Sequence, residues 1–135
     1  MIKKYFSLKI LFLVFSYISF AQNPVPTIEY QALVDFYNAT GGDSWRNKWD
    51  ISSNNLHTTT WYGVILEDEH IVEIDLGNGN RLNGAIPASF SNLKFLRKLH
   101  LDSNDLSTTD LNNLSGLESM EDLDLSYCQL TGSIP

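Results

Sequence analysis

A chain of 135 residues with one cysteine has room for a single domain and cannot close an internal disulfide. Nine lysines and arginines against sixteen acids give a formal charge of −7, which excludes a nucleic-acid or anionic-membrane binder because phosphate recognition needs clustered cations. The fold must rest on burial of the 43% of residues that are hydrophobic.

The first residues read as a signal peptide. Lys3 and Lys4 form a positive n-region, Ile10 to Phe20 is almost wholly apolar, and Ser19-Phe20-Ala21 places small residues at −3 and −1. The apolar run falls short of the ~20 residues that a spanning helix needs, so cleavage after Ala21 and export are expected. Loss of residues 1–21 removes Lys3, Lys4 and Lys9 and no acid, moving the formal charge from −7 to −10. Residues 22–70 form the next unit. Thr27 is the expected N-cap of a helix over about 27–38, with Ile28, Ala32, Leu33 and Phe36 at helical spacing and Gly41-Gly42 ending it. Residues 43–64 read as a loop, yet carry Trp45, Trp49 and Trp61, rings too large to leave in water. They are expected to plug an open end of the periodic region that begins at Ile71, while Asp50 to Thr60 stays exposed.

Residues 71–135 repeat one phrase. Ile71-Val-Glu-Ile74-Asp-Leu76, Leu96-Arg-Lys-Leu99-His-Leu101 and Met120-Glu-Asp-Leu123-Asp-Leu125 recur at intervals of 25 and 24 residues, each followed by Asn80, Asn104 or Cys128 and then Leu82, Leu106 or Leu130. Within each copy the apolar residues alternate with polar ones, as in a short strand with one buried face. Leu106, Leu111 and Leu114 are expected to fill the opposite side of the coil. The extra residue in Gly77-Asn78-Gly79 is expected to bulge outward, and Cys128 to be a buried structural thiol.

This L-x-x-L-x-L-x-x-N/C-x-L pattern resembles the leucine-rich repeat family. The tails Leu82-Asn-Gly-Ala-Ile-Pro87 and Leu130-Thr-Gly-Ser-Ile-Pro135 are similar to the L-x-G-x-I-P of its plant-type members. Residues 27–70 resemble the N-terminal cap of the same type, through Gly41-Gly42-Asp43-Ser44-Trp45, Trp49 and Trp61-Tyr62-Gly63-Val64. Thr59 and Leu66 stand where plant caps carry paired cysteines, and Ser107-Thr-Thr-Asp-Leu111 replaces G-x-I-P in the second copy. The resemblance implies an α/β solenoid of about two and a half to three repeats, short parallel strands on its concave face and a helical, tryptophan-bearing cap. It is that of a secreted bacterial member, located outside the cell or at its surface.

The same resemblance implies non-catalytic recognition of an extracellular protein, peptide or glycan by the concave face. In this chain the outward positions form columns: Glu73, Lys98 and Asp122; Asp75, His100 and Asp124; Gly77, Asp102 and Ser126; Asn78, Ser103 and Tyr127. Lys98 between Glu73 and Asp122 reads as a charge ladder. The face either takes a cationic or hydroxyl-rich ligand with Tyr127, or is the polar face that any soluble sheet carries. Asp75, His100 and Asp124 lack the spacing of a metal motif, no nucleophile is paired with a base, and Gly77-Asn-Gly79 runs into Leu82 where a dinucleotide loop needs glycine. No cofactor, metal or enzymatic activity is expected. Pro135 lies inside a repeat, with Leu117, Met120, Leu123, Leu125, Leu130 and Ile134 bordering an uncovered end. That arrangement suits either self-association through the last repeat or an N-terminal structural piece of a longer surface protein.

Overall fold

The computed structural model describes residues 25–52, 61–133 and 135. The expected signal peptide, the middle of the polar loop (53–60) and Ile134 lie outside these.

Helix α1 spans Thr27–Ala39 and buries Ala32, Leu33 and Phe36 of the expected face together with Tyr37, while Ile28 in its first turn is exposed and Glu29 is buried in its stead. Its cap differs from expectation. Pro26 is the N-cap and Thr27 already lies in the helix, with no side-chain bond to the free amides. Proline suits that boundary because it has no N–H to satisfy and a fixed φ. At the other end the Thr40 hydroxyl donates to the Phe36 carbonyl at 2.7 Å, and Gly41 follows in the left-handed conformation at φ +69°. Asp43 and Ser44 belong to a 3₁₀ turn over Gly42–Ser44, where the Asp43 carboxylate accepts from the Tyr37 hydroxyl at 3.1 Å. Burial, then that carboxylate, raise the Tyr37 phenol above its ordinary value.

All three tryptophans are buried. Trp49 stacks on Trp61 with centroids 4.9 Å apart, Trp45 meets Trp49 edge-on at 4.9 Å, and the Phe36 ring lies 5.0 Å from Phe90 in the first repeat. Two of the indoles donate to main chain, Trp45 Nε1 to the Thr40 carbonyl and Trp49 Nε1 to that of Tyr62. These large rings are thus buried without orphaning their N–H groups.

Four strands follow in one sheet, ordered as in the sequence: β1 (Val64–Glu67), β2 (His70–Asp75), β3 (Lys98–His100) and β4 (Asp122–Asp124). β2, β3 and β4 are parallel and in register, Ile74 beside Leu99 beside Leu123. The loop expected up to residue 64 gives way there to β1, which pairs antiparallel with β2 through a tight turn at Asp68-Glu69. The β1–β2 register slips between Ile65 and Leu66, leaving Val72 without a partner. Ile71 and Ile74, three residues apart, are both fully buried, as are Leu96 and Leu99 at the same spacing in the next repeat. Gly63, at φ +76°, accepts a bond from the Asp75 amide at 2.8 Å, and a Cβ there would overlap the Asp75 carbonyl.

Leu106, Leu111 and Leu114 line the far side of the coil as expected, with 3₁₀ turns at Ala88–Asn92 and Leu111–Leu114 in place of helices. Inside the turn after β3, the Asn104 carboxamide accepts from the Leu82 amide at 2.9 Å and donates to the carbonyls of Leu76 (3.0 Å) and Leu101 (2.9 Å). Cys128 takes that place one coil later, buried, its thiol 3.0 Å from the Leu101 carbonyl. Burial raises its pKa, as suits a structural thiol. Beyond β4, Leu111, Leu123, Leu125 and Leu130 line an open groove of about 430 Å³.

Glu29, on the first turn of α1, is only 3% exposed. One carboxylate oxygen accepts from the Ile71 amide at 2.9 Å and the other sits 2.6 Å from His70 Nδ1, tying the helix to β2.

Each of these buried side chains can be tested by its removal. Asn104→Ala strands one amide and two carbonyls in the interior and should cost about 3 kcal/mol in urea unfolding, against about 1 kcal/mol for Cys128→Ala, which removes one weak donor. Equal costs would contradict the role given to the carboxamide. Glu29→Ala, leaving the Ile71 amide unsatisfied, should cost about 2 kcal/mol, and Glu29→Gln, which keeps an acceptor, distinctly less.

Candidate functional site

The outward positions of the parallel strands stand side by side as the spacing implied. Glu73 pairs in register with Lys98 and Lys98 with Asp122; Asp75 pairs with His100 and His100 with Asp124. Their inward neighbours Ile74 and Leu99 are fully buried, so the backbone that carries these groups is anchored from beneath. Parallel strands about 4.8 Å apart bring side chains of one column within contact range.

The pairing within the columns departs from a simple ladder. Lys98 Nζ lies 2.8 Å from Glu73 and 3.5 Å from Asp75, both on β2, rather than bridging Glu73 and Asp122. The Glu73 hydrogen bond raises the Lys98 ammonium above its ordinary pKa. Asp122 instead lies 3.0 Å from His100 Nε2, whose Nδ1 is 3.8 Å from Asp75. The contact to Asp122 is short but outside hydrogen-bonding geometry, so His100 Nε2 is buried without a hydrogen-bond partner among the described residues. A lysine reaches only one flank at a time, and the two acids of β2 hold it there.

The remaining acids are occupied by the turns that follow their strands. Asp124 Oδ1 accepts from the Ser126 hydroxyl at 2.7 Å and amide at 2.9 Å, which lowers its pKa. Asp102 accepts from the Asn78 amide at 3.1 Å and from the Ser103 hydroxyl at 3.2 Å. Here the inserted residue alters the expected columns. The Gly79 amide bonds the Asp102 carbonyl as the Ser103 amide bonds that of Ser126, so Gly79 rather than Asn78 is equivalent to Ser103 and Tyr127. Asn78 is left exposed at φ +57°. Tyr127, also left-handed at φ +55°, is 87% exposed and stands clear of the sheet.

β1 extends this face by one position outside the repeat columns. Ile65 lies opposite Glu73 and is exposed, while Val64 beside it is buried. The in–out alternation of Val64-Ile65 is a usable signal, but the unbroken apolar run Val64-Ile-Leu66 conceals it. The assembled surface therefore carries an apolar residue at its β1 side, a compensated Glu73–Lys98–Asp75 cluster in the middle, and acids with an exposed phenol at its β4 side. It can accept hydrogen bonds from a ligand and pack against its apolar parts, and it holds both signs of charge.

Residues 69–130 match the family model described as leucine rich repeat. Two proteins of Arabidopsis thaliana are similar to this chain: Receptor-like protein 50, 35% identical over 86 residues, and Phytosulfokine receptor 1, 48% identical over 96 residues. These matches cover 61% and 69% of this chain, which spans only about a tenth of either relative (10% and 9%). Among solved structures, a leucine-rich repeat protein from Bacteroides eggerthii superposes with a TM-score of 0.53 at 23% identity, over 62% of this chain and 14% of that one, a likeness of fold alone. A chain of the BIR3–SERK2 complex from Arabidopsis thaliana gives 0.57 at 27% identity, over 71% of this chain and 54% of that one. No helix among the described residues is long and apolar enough to cross a membrane. The strand register and the buried asparagine turn agree with the leucine rich repeat model that residues 69–130 match.

Proposed function

We propose that the protein is an exported, non-catalytic binding module that takes an extracellular protein, peptide or glycan on the strand face of its repeats. The observation that carries this reading is the register itself. Glu73, Asp75, Lys98, His100, Asp122 and Asp124 form a two-column array, anchored at β2 and β3 by the buried Ile74 and Leu99, with Asp102 and Tyr127 at its border. Side chains on regular strands supply a more rigid array than loops do, which lowers the cost of ordering a binding surface.

The names of similar proteins support a recognition role, one being a receptor for phytosulfokine and another a member of a two-protein complex. The apolar run and small-residue pair of residues 10–21 support export. Within the face, Lys98 is engaged by β2, so a ligand meets the acids of β4 and the Tyr127 ring more readily than the lysine. The ligand best suited to that side offers cationic or hydroxyl donors and an apolar surface for the phenol.

A screen of the protein against extracellular peptides and glycans should yield a saturable binder. The Lys98→Ala, His100→Ala and Tyr127→Ala variants should then each change its affinity, with Tyr127→Ala losing about tenfold, the loss expected for one aromatic anchor. An affinity unchanged in all three would remove the strand face from consideration as the site.

A further inference from the structure

A second surface, at the foot of the sheet, has a chemistry of its own. The β1–β2 turn and the segments leading into β3 and β4 enclose a cleft of about 290 Å³, lined by Glu67, Asp68, His70, Phe95, Arg97 and Ser119, with Val72 among its walls. That size lies at the small end of ligand pockets, roughly 300–1,000 Å³.

Its parts are held in place from behind. The buried Glu29 carboxylate binds His70 Nδ1 at 2.6 Å, and the imidazole stacks on Phe95 with centroids 3.7 Å apart and planes 21° from parallel. His70 Nε2 has no hydrogen-bond partner among the described residues. Phe95 remains 47% exposed, a large apolar ring at a polar cleft. Opposite charges are set together nearby, Arg97 Nη2 lying 2.7 Å from Glu67 Oε2 with both side chains about half exposed.

We propose that this cleft binds one neutral, hydroxyl-bearing ring, such as a hexose unit. Charge selects the class. Arg97 and Glu67 already neutralise each other, so a charged group entering the cleft must compete with that bridge, whereas a neutral ligand can bond to its outer atoms without breaking it. Hydroxyl groups both donate and accept, and can therefore bond the carboxylates, the guanidinium and the free imidazole nitrogen together. A sugar ring also presents one face of C–H bonds, whose partial positive charge is attracted to the negative face of an aromatic ring such as Phe95. A ring locked by a buried carboxylate loses little freedom when a ligand arrives. The site stands apart from the strand face and needs none of Lys98, His100 or Tyr127.

Titration calorimetry of the whole chain with glucose, galactose and mannose and with trisaccharides of each tests this. At least one series should bind saturably. Phe95→Leu, which keeps an apolar side chain and removes the aromatic face, and Glu67→Gln should each weaken that binding at least tenfold, while Lys98→Ala and Tyr127→Ala leave it unchanged. Equal binding of the hexose and its trisaccharide identifies a free sugar as sufficient, and binding of the trisaccharide alone identifies a glycan; either supports the class. The proposal is overturned if no series binds up to its solubility limit. It is equally overturned if Phe95→Leu, shown by its melting curve to be folded, binds like the parent, or if an arginine-rich peptide or an anionic sugar is preferred and depends on Phe95.

Discussion

Each turn of the coil directs main-chain polar groups into a space lined by leucine, and the stack exists because one buried side chain per coil answers them. Asn104 does this most completely, holding Leu82, Leu76 and Leu101 with a single carboxamide. Unanswered, each of those groups would cost about 1–3 kcal/mol, comparable with the stability of a small domain when added together. The accepting half of this device joins the tryptophan segment to the repeats, the buried Asn80 Nδ2 having no partner among the described residues. Asn80 accepts from the amide and side chain of Asn47, so the segment that covers the first coil behaves toward it as a neighbouring coil would. At Cys128 the thiol supplies one donor to Leu101. The bonding is therefore densest in the middle coil and thinner beside β4, where Leu123 is also partly exposed.

A stack held from within leaves its strand surface free to vary, and the surface here is largely compensated by its own charges. β3 contributes Lys98 and His100, and the acids lie on β2 and β4 to either side. Lys98 lies with Glu73 and Asp75 of β2 rather than with the two acids of β4, and such partly exposed pairs add little to stability. Their consequence is a polarity across the face, with the acids of β4 and the Tyr127 phenol left at the side where compensation is weakest. Solvation alone would be satisfied by any arrangement of polar groups; an asymmetric one gives a ligand a preferred orientation.

The repeats and the two columns on their strands were legible in the sequence because period and register share one cause. Residues 24 or 25 apart must stack if Ile74, Leu99 and Leu123 are to share a core, and that fixes which outward residues adjoin. Burial of the tryptophans followed similarly from their size. What escaped was local geometry with no periodic signature. The β1–β2 turn uses Asp68 and Glu69 at positive φ where glycine or asparagine would have marked it, and the slip opposite Val72 leaves no trace in composition. The helix boundary differs by one residue because Thr27 is a good cap by type, whereas Pro26 already supplies the φ of the boundary. The partners of Lys98 were a choice between two acidic flanks, and side-chain reach decides that rather than spacing.

Glu29 shows why the cleft at the foot of the sheet was the least legible feature of all. An acid on the apolar side of a helix reads as a break in the pattern, yet here it is buried because it serves the Ile71 amide and orients His70 at once. The amide alone would need one oxygen; the second holds the imidazole that stacks on Phe95. The lining comes from residues 67–72, 95–97 and 119, three places brought together only by stacking of successive coils. Functional sites on a repeat scaffold need not sit in the repeat's regular columns. At the ends of the strands, where the period constrains side chains least, the chain can assemble a constellation once, and a buried carboxylate from outside the repeats is what makes this one rigid.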